Sequence, residues 1–189
     1  MLGTPAANDN CGVDLITNDA PSSFPVGTTT VTWTVTDVNG NSETCNQTII
    51  VTDDEIPTIT CPADVIVSAD AGSCEAGGIS LGTSTTSDNC GVAFVNNDAP
   101  SLFPVGITTV TWVVTDVNGN SDSCTQTVTV TDNELPLISC TSTLSFNSDA
   151  GVCGVVNSSL PAPSATDNCG LGTVTNDASS TLPVGITLV

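Results

Sequence analysis

The stretch that decides the fold is TTVTWVVTDVNGNSDSCTQTVTVTD, residues 108–132. Apolar and mostly threonine positions alternate along it, as is typical of a half-buried β-strand. Asn118-Gly119 interrupts the alternation and is a strong short-range hairpin signal. The stretch therefore predicts an antiparallel hairpin with one buried face. Its inward positions are Val110, Trp112 and Val114 in the first strand and Val128 and Val130 in the return strand.

The chain repeats itself with a period of 79 residues. The triplet Asp-Asn-Cys begins at Asp9, Asp88 and Asp167. Residues 1–57 and 80–136, aligned without a gap, are identical at 38 positions. All nine cysteines fall on four positions of this period. The predicted domains are the C-terminal part of a repeat at 1–55, a complete repeat at 56–134 and the N-terminal part of a third at 135–189.

The phase of the repetition indicates a longer array. The two partial repeats overlap in the period by about thirty residues, so they are not two halves of one closed domain. We therefore expect the natural polypeptide to continue in both directions, with Met1 not its natural start. Each repeat should add roughly 30–40 Å to a rod in which only neighbouring repeats are in contact.

The complete repeat is predicted to contain five short strands and no helix. Short strands with frequent turns in fewer than a hundred residues favour an immunoglobulin-like architecture. The predicted fold class is all-β, with tandem immunoglobulin-like antiparallel β-sandwiches arranged end to end. Phe103–Gly106 is predicted to be a turn-rich corner. The strands are expected at Val65–Val67, near Gly78–Gly82, at Val92–Asn96, at Thr108–Thr115 and at Cys124–Thr131.

Two features of the strands carry expectations of their own. Trp33 and Trp112 are expected to pack in the core, since each alternates with inward-facing valines; stacking on carbohydrate is the alternative. In the third repeat Ser145-Phe-Asn147 replaces Ile66-Val-Ser68, so its first strand is expected to pair differently.

The charge balance excludes several classes of function. The chain has 20 Asp and Glu, no Lys, Arg or His, and a net charge of -20. Binding to a nucleic-acid backbone or to an anionic membrane surface requires cationic side chains, which this chain lacks. The chain has no apolar run of the length needed to cross a membrane, so no membrane insertion is expected. A hydrophobic fraction of 39% with 11% charged residues indicates a folded chain and not a disordered acidic tail.

No catalytic residue is assigned. Without His, Lys, Arg or Tyr, the remaining acid–base groups are carboxylates and thiols. Nearby carboxylates raise the pKa of a thiol and so make it a poorer nucleophile. A repeated module without unique pocket residues is also a poor candidate for a glycosidase. Clustered cysteines can indicate zinc, but this chain has no Cys-x-x-Cys and no His.

Several short motifs together resemble the hyalin repeat, or HYR, family in its four-cysteine bacterial form. They are Ile59-Thr-Cys-Pro62, Asp88-Asn-Cys-Gly91, Phe103-Pro-Val-Gly106, Gly119-Asn-Ser-Asp-Ser-Cys124 and the flanking strands. The resemblance covers the whole chain, although in the third copy Thr141 stands where the second copy has Pro62. It implies an immunoglobulin-like sandwich, an extracellular location and a role in adhesion or in long surface stalks. Similar arrays occur in large secreted bacterial surface proteins and in animal extracellular matrix proteins.

Four thiols in each small repeat suggest a secreted disulfide framework. The first and last strands of such a sandwich can lie side by side and parallel, which would bring Cys61 to Cys124 and leave Cys74 for Cys90. The rival scheme joins Cys90 to Cys124, between two loops at one end. The resemblance supports the first scheme, because animal HYR repeats typically keep only the outer pair. We predict Cys61–Cys124, Cys74–Cys90 and Cys153–Cys169, with the partners of Cys11, Cys45 and Cys140 outside this chain.

Carboxylates recur at the repeat junctions and in the loops that should face them. Asp53-Asp54-Glu55 and Asp132-Asn133-Glu134 lie at the boundaries between sandwiches. Calcium takes six to eight oxygen ligands from such residues, and the chain offers no internal countercharge. The alternatives are acidic linkers that only keep the array soluble and extended, and a plain Asn-Gly turn in the hairpin. The candidate calcium ligands are Asp53, Asp54, Glu55, Asp88, Asp116, Asn118, Asp132, Glu134 and Asp167.

The sequence thus predicts a non-catalytic structural segment of an extracellular fibre, stalk or adhesin shaft. The alternative is an adhesion module that binds glycan or protein through its loops. Identical loops in the first two copies favour the spacer, because a binding face should vary. The expected partners are neighbouring repeats of the same chain and other copies in a filament or bundle, with the surface ligand left open.

Overall fold

A computed structural model describes residues 2–156 and 160–185. These residues form fifteen strands and no helix, and none of their segments is a long apolar helix that could cross a membrane. Met1, residues 157–159 and residues 186–189 lie outside the described part, so the first and third predicted domains are described incompletely. The chain divides into two compact units.

The first unit contains the chain up to Pro57 together with Ser87–Ala93 and Thr115–Ser121. Its sheet has the order β1-β2-β3, and both strand pairs are antiparallel. Val31 and Trp33 on the central strand are buried, which confirms the inward face expected from the alternation. The strands are β1 (Val13–Asn18), β2 (Gly27–Asp37) and β3 (Ser42–Val51).

The second unit contains Thr58–Thr86, Phe94–Val114 and the chain from Asp122 onward. The middle repeat has a four-stranded sheet in the order β5-β11-β10-β8 and two small sheets, β4-β7 and β6-β9. Its strands are β4 (Thr58–Thr60), β5 (Val65–Ser68), β6 (Glu75–Gly77), β7 (Thr85–Ser87), β8 (Val92–Asn97), β9 (Leu102–Pro104), β10 (Gly106–Asp116) and β11 (Ser121–Thr131).

The all-β architecture is as predicted, and the strand predicted at Val65–Val67 does run beside the last strand of the repeat. β5 pairs in parallel with β11, with Val65 opposite Val128 and Val67 opposite Val130. The hairpin between β10 and β11 turns at Val117–Gly119, where Gly119 has a φ of 100°. This parallel pair brings together segments more than sixty residues apart.

Two details of the predicted strands were wrong. No strand forms at 78–82, because Gly78 and Gly82 adopt positive φ values of 62° and 81° that a strand cannot continue through. Residues 103–106 are not only a turn, since Phe103 lies in β9 opposite Ala76 of β6. Both residues of that pair are buried, and this burial favours the extra strands.

The core of the middle repeat forms from the alternating strands. Val110, Val128 and Val130 are buried together with Trp112, which is 7% exposed. Each fully buried apolar side chain of this size contributes roughly 1.5–3 kcal/mol. Trp33 and Trp112 are therefore core residues and present no face for stacking on a sugar.

The third repeat reproduces the small sheets of the middle one, 79 residues further along. β12 pairs with β14 as β4 does with β7, and β13 pairs with β15 as β6 does with β9. The residues that correspond to β5, at 144–147, form no strand here, and the counterpart of β11 would lie beyond residue 189. The strands are β12 (Leu137–Ser139), β13 (Gly154–Val156), β14 (Ser164–Thr166) and β15 (Thr181–Pro183).

Candidate functional site: the acidic junction and the cysteines

Asp116 organises the loop of the β10–β11 hairpin. Its Oδ1 accepts backbone N–H bonds from Asn118 at 2.8 Å, Gly119 at 2.6 Å and Asn120 at 2.8 Å. Its Oδ2 accepts the Nδ2 of Asn120 at 2.8 Å, and the residue is only 2% exposed. Burial acts to raise the pKa of Asp116, but these hydrogen bonds outweigh it and hold the pKa below its ordinary value. Asp116 is therefore a buried, ionised carboxylate.

Asp53 and Asp88 bring two further carboxylates to this loop. Asp88 Oδ1 accepts the backbone N–H groups of Cys90 at 2.8 Å and Gly91 at 2.7 Å. The backbone of Asp53 is tied to the hairpin, because Asn120 Nδ2 donates to its carbonyl oxygen at 3.0 Å. The Oδ2 atoms of both Asp53 and Asp88 are buried and have no hydrogen-bond partner among the described residues.

The three aspartates form an oxygen-only cluster. One carboxylate oxygen each from Asp53, Asp88 and Asp116 lies within 4.8 Å of the other two. The sequence contains no Lys or Arg to neutralise them. Buried carboxylate oxygens without partners are costly unless a proton or a cation satisfies them. A set of hard oxygen donors of this kind suits calcium.

The other predicted ligands are placed differently. Asp54 and Glu55 are exposed and lie outside the cluster, whereas Asn118 is exposed and its backbone N–H bonds Asp116. Glu134 instead accepts the backbone N–H of Gly72 through Oε2 at 2.7 Å. The remaining two, Asp132 and Asp167, do come together, within 4.8 Å of each other and of Cys169.

The pair of Asp132 and Asp167 offers a cation fewer carboxylate ligands than the cluster of Asp53, Asp88 and Asp116. The sulfur of Cys169 is part of a disulfide and is not available as a ligand, which leaves two carboxylates. In the first cluster the third carboxylate comes from Asp116, and its counterpart in the third repeat would lie beyond residue 189.

Two disulfides form, and only one of them was predicted. Cys61 is joined to Cys124 with a Cα–Cα distance of 5.8 Å, next to the parallel β5–β11 pair. Cys74 is joined to Cys169 with a Cα–Cα distance of 4.9 Å. The predicted pairs Cys74–Cys90 and Cys153–Cys169 were therefore wrong, and so was the rival pair Cys90–Cys124. The remaining cysteines are free: Cys11, Cys45, Cys90, Cys140 and Cys153.

The hydrogen bonds near Cys74 explain the change of partner. Asn168, beside Cys169, donates through Nδ2 to the carbonyl oxygen of Ser73, beside Cys74, at 2.8 Å. Cys74 and Cys169 both belong to the second unit, whereas Cys90 belongs to the first. The pKa of the Cys90 thiol is raised first by desolvation, then by the hydrogen bond that it donates to Asp53, and then by charge repulsion from Asp53, Asp88 and Asp116. Cys90 is therefore a protonated thiol and a poor nucleophile.

The profile of the HYR domain family matches residues 2–51 and 52–130. The chain belongs to the HYR domain family. Hyalin of Lytechinus variegatus is 37% identical over 207 residues, covering the whole chain but 38% of that protein. Hyalin of Strongylocentrotus purpuratus is 34% identical over 199 residues, covering 98% of the chain and 16% of that protein. The chain thus spans well under half the length of either hyalin.

A similarity of narrower extent links this HYR chain to a protein with several domain types. Sushi, von Willebrand factor type A, EGF and pentraxin domain-containing protein 1 of Rattus norvegicus is 35% identical over 97 residues. The match covers 49% of this chain and 3% of that protein.

This HYR chain is extracellular, and its disulfides are of the kind that persists in oxidising compartments.

Gln126 is a structural residue of the HYR fold that the sequence analysis missed. It is fully buried and accepts the indole N–H of Trp112 through Oε1 at 3.1 Å. Its Nε2 donates to the carbonyl oxygens of Ala63 at 2.6 Å and Leu81 at 3.0 Å. The signal was present, because a tryptophan and a glutamine 14 residues apart occur in both copies, and Trp33 bonds Gln47 at 2.9 Å.

The repeated loops use their polar side chains internally. Asp98 Oδ1 accepts the backbone N–H of Thr111 at 2.7 Å, and Asn97 Oδ1 accepts that of Ala99 at 3.1 Å. These bonds recur in the first repeat, on Asp19 and Asn18. Each of these groups already fixes its own loop.

Proposed function

We propose that this HYR chain is a non-catalytic segment of a longer extracellular array that serves as a fibre, stalk or adhesin shaft. The observation that carries the proposal is that the polar loop side chains bond their own backbone in closely similar ways in successive copies. Asp88 and Asp116 each hold a loop in this way, and Asp9 and Asp37 do so in the first repeat. A repeated spacer needs the same internal hydrogen bonds in every copy, whereas a ligand-binding face needs polar groups that are free to bond a ligand.

We propose as partners the neighbouring repeats of the same chain, meeting at the acidic junctions, and other copies assembled alongside in a filament or bundle. The four cysteines in each period favour the four-cysteine form of the family, which we propose to be the bacterial one. An adhesion module that binds glycan or protein through its loops is the second candidate.

Two measurements on existing proteins distinguish these candidates. We expect the full-length protein to be extended by roughly 30–40 Å for each 79-residue repeat in cryo-imaging or scattering. We expect the 189-residue chain to bind neither a glycan array nor a panel of extracellular matrix proteins. Specific binding by this chain that is lost on substituting Asn97 or Asp98 would contradict the spacer role and favour the adhesion module.

We further propose that calcium binds the cluster of Asp53, Asp88 and Asp116 and stiffens the junction. Two buried carboxylate oxygens without partners support this proposal, as does the absence of any cationic side chain. Extracellular modules typically bind calcium with Kd values of roughly 0.1–1 mM. The cluster would then fill outside a cell and empty in chelator.

The calcium prediction concerns Asp53→Asn, with Asp54→Asn as the matched control. In EGTA, Asp53→Asn should be at least as stable as the natural chain, since it removes one of three repelling carboxylates. At 10 mM calcium the natural chain and Asp54→Asn should gain about 1.4–2.7 kcal/mol, and Asp53→Asn much less. Thermal melts with calcium, with magnesium and with EGTA at matched ionic strength measure this.

The order of stabilities decides the outcome. A crossing, in which Asp53→Asn is the more stable protein in EGTA and the less stable in calcium, would support a cation at this cluster. An equal response of all three proteins to calcium, or no response, would refute it and leave the acidic junctions as solvated linkers.

A further inference from the structure

The two disulfides of the structure contain four of the nine cysteines and are of two kinds. One bond, Cys61–Cys124, closes within a repeat. The other, Cys74–Cys169, joins a turn of the middle repeat to the Asp-Asn-Cys loop of the third. Every cysteine lies in the described part of the chain, and five of them are free.

We propose that Cys74–Cys169 is one instance of a disulfide that joins each repeat to the next along the array. This inference rests on the proposed function, because it requires further repeats on both sides. With the 79-residue period, the between-repeat rule assigns Cys11 and Cys90 to partners in preceding repeats and Cys153 to one in the following repeat. The within-repeat rule places the partner of Cys45 before residue 1 and the partner of Cys140 beyond residue 189. All five partners fall outside residues 1–189, so both rules together predict the observed free thiols.

The contacts around Cys74–Cys169 are specific and not confined to the sulfur atoms. The turn before Cys74 is closed by the N–H of Ser73 bonding the carbonyl oxygen of Asp70 at 2.9 Å. Gly72 in this turn donates to Glu134 of the junction at 2.7 Å, and Ser73 accepts a bond from Asn168 at 2.8 Å. The disulfide therefore lies in a small polar interface that holds the turn against the following repeat.

The loop that presents Cys169 recurs at the preceding junction. The N–H of Cys169 donates to Asp167 Oδ1 at 2.8 Å, and the N–H of Cys90 donates to Asp88 Oδ1 at 2.8 Å. Asp167 lies beside Asp132, as Asp88 lies beside Asp53. The junction aspartate and the cysteine loop are thus arranged alike in both units. Cys90 is presented as Cys169 is, in the position to which a preceding repeat would bring its own counterpart of Cys74.

The chemistry of each link is a two-electron oxidation. Two thiols lose two protons and two electrons as the S–S bond forms. The acceptor we name is a disulfide-carrying thiol oxidoreductase of the oxidising compartment, whose own disulfide is reduced to a dithiol. No metal and no residue of this chain other than the two cysteines takes part.

The first test is a thiol count and a disulfide map of the 189-residue chain, quenched in acid and alkylated. Trypsin has no cleavage site in this chain, but an Asp/Glu-specific protease cuts between all the relevant cysteines. We expect five alkylated thiols and a peptide that links Cys74 to Cys169. The pairing within repeats would give three thiols and a peptide linking Cys74 to Cys90. That result would overturn the inference and leave the proposed array intact.

Matched variants and the full-length protein complete the test. Cys169→Ser should release Cys74 and raise the count to six thiols, whereas Cys90→Ser should leave the Cys74–Cys169 peptide in place and lower the count to four. In the full-length protein, the Cys90 peptide should be recovered joined to a peptide of the preceding repeat. Recovery of Cys90 as a free thiol beside an intact preceding repeat would overturn the inference. A full-length protein without flanking repeats would instead refute the proposed array, while the Cys74–Cys169 peptide of the short chain remained.

Discussion

At the scale of single residues, the most demanding position is Gln126. It is the largest fully buried side chain of the molecule's described part, and all its polar atoms are engaged. Its three bonds connect the core tryptophan to the loops of Ala63 and Leu81, which both lie outside the β10–β11 hairpin. A buried amide in such a position fixes the arrangement of its neighbours because each lost bond leaves another polar group unsatisfied.

Gln126→Leu should lower the free energy of unfolding by about 2–4 kcal/mol, because three polar partners lose their bonds at once. Gln47→Leu, at the equivalent position with a half-buried side chain, should cost about 1 kcal/mol. Urea unfolding followed by tryptophan fluorescence measures both. Adding Trp112→Phe should cost less in the Gln126→Leu background than alone, since the indole donor no longer has a partner. Equal and small losses for both glutamine variants would contradict this role.

Acid should weaken the hairpin through Asp116. Hydrogen bonds lower the pKa of Asp116 and also that of Asp37 at the equivalent position. A carboxylate with a lowered pKa contributes stability that is complete above its unfolded pKa, near 4, and is lost as the pH falls through its folded pKa. The melting temperature should therefore decrease as the pH is lowered below about 4. Asp116→Asn should destabilise the chain at neutral pH and flatten this fall, and Asp54→Asn should do neither.

At the scale of strands, the hairpin and its inward face were predictable because alternation and Asn-Gly are local signals. The parallel pairing of β5 with β11 was also predictable, from the general arrangement of such sandwiches. The short strands β6 and β9 were not, because each has only three residues and exists through its partner. Residues 78–82 looked like a strand by spacing, but two glycines with positive φ break it.

The hairpin turn offers a clean test at this scale. Gly119 has a φ of 100°, and an added Cβ would meet nothing within 4 Å. Gly119→Ala should therefore destabilise the chain by about 1–2 kcal/mol through backbone strain alone. Gly172 is equally open but has no positive φ, so Gly172→Ala should be neutral or slightly stabilising. Chemical denaturation compares the two, and a neutral Gly119→Ala would show that the turn relaxes freely.

At the scale of the whole molecule, the limits of prediction come from the periodicity itself. The acidic residues of the junction could be foreseen as a group, since Asp53, Asp88 and Asp116 recur with the boundaries. The pairing of cysteines could not, because a repeating sequence defines each position only up to a multiple of 79 residues. A partner in the same repeat and a partner in the next one look alike in sequence. Contacts made in the folded chain distinguish them, such as that of Asn168 with Ser73.

The Cys74–Cys169 bond has a mechanical consequence in an array linked throughout in this way. Each between-repeat disulfide would close a loop of the chain, and successive loops would overlap over the 16 residues from Cys153 to Cys169. A pulling force would therefore be carried by the disulfides and, in each period, by those residues alone. The extensible length would be about 55 Å for each repeat, against about 270 Å for a period without crosslinks. Force spectroscopy of the full-length protein, before and after a reductant, should show this roughly fivefold difference. Such a shaft would behave as a tether that can lose its fold under load and still lengthen less than about twofold.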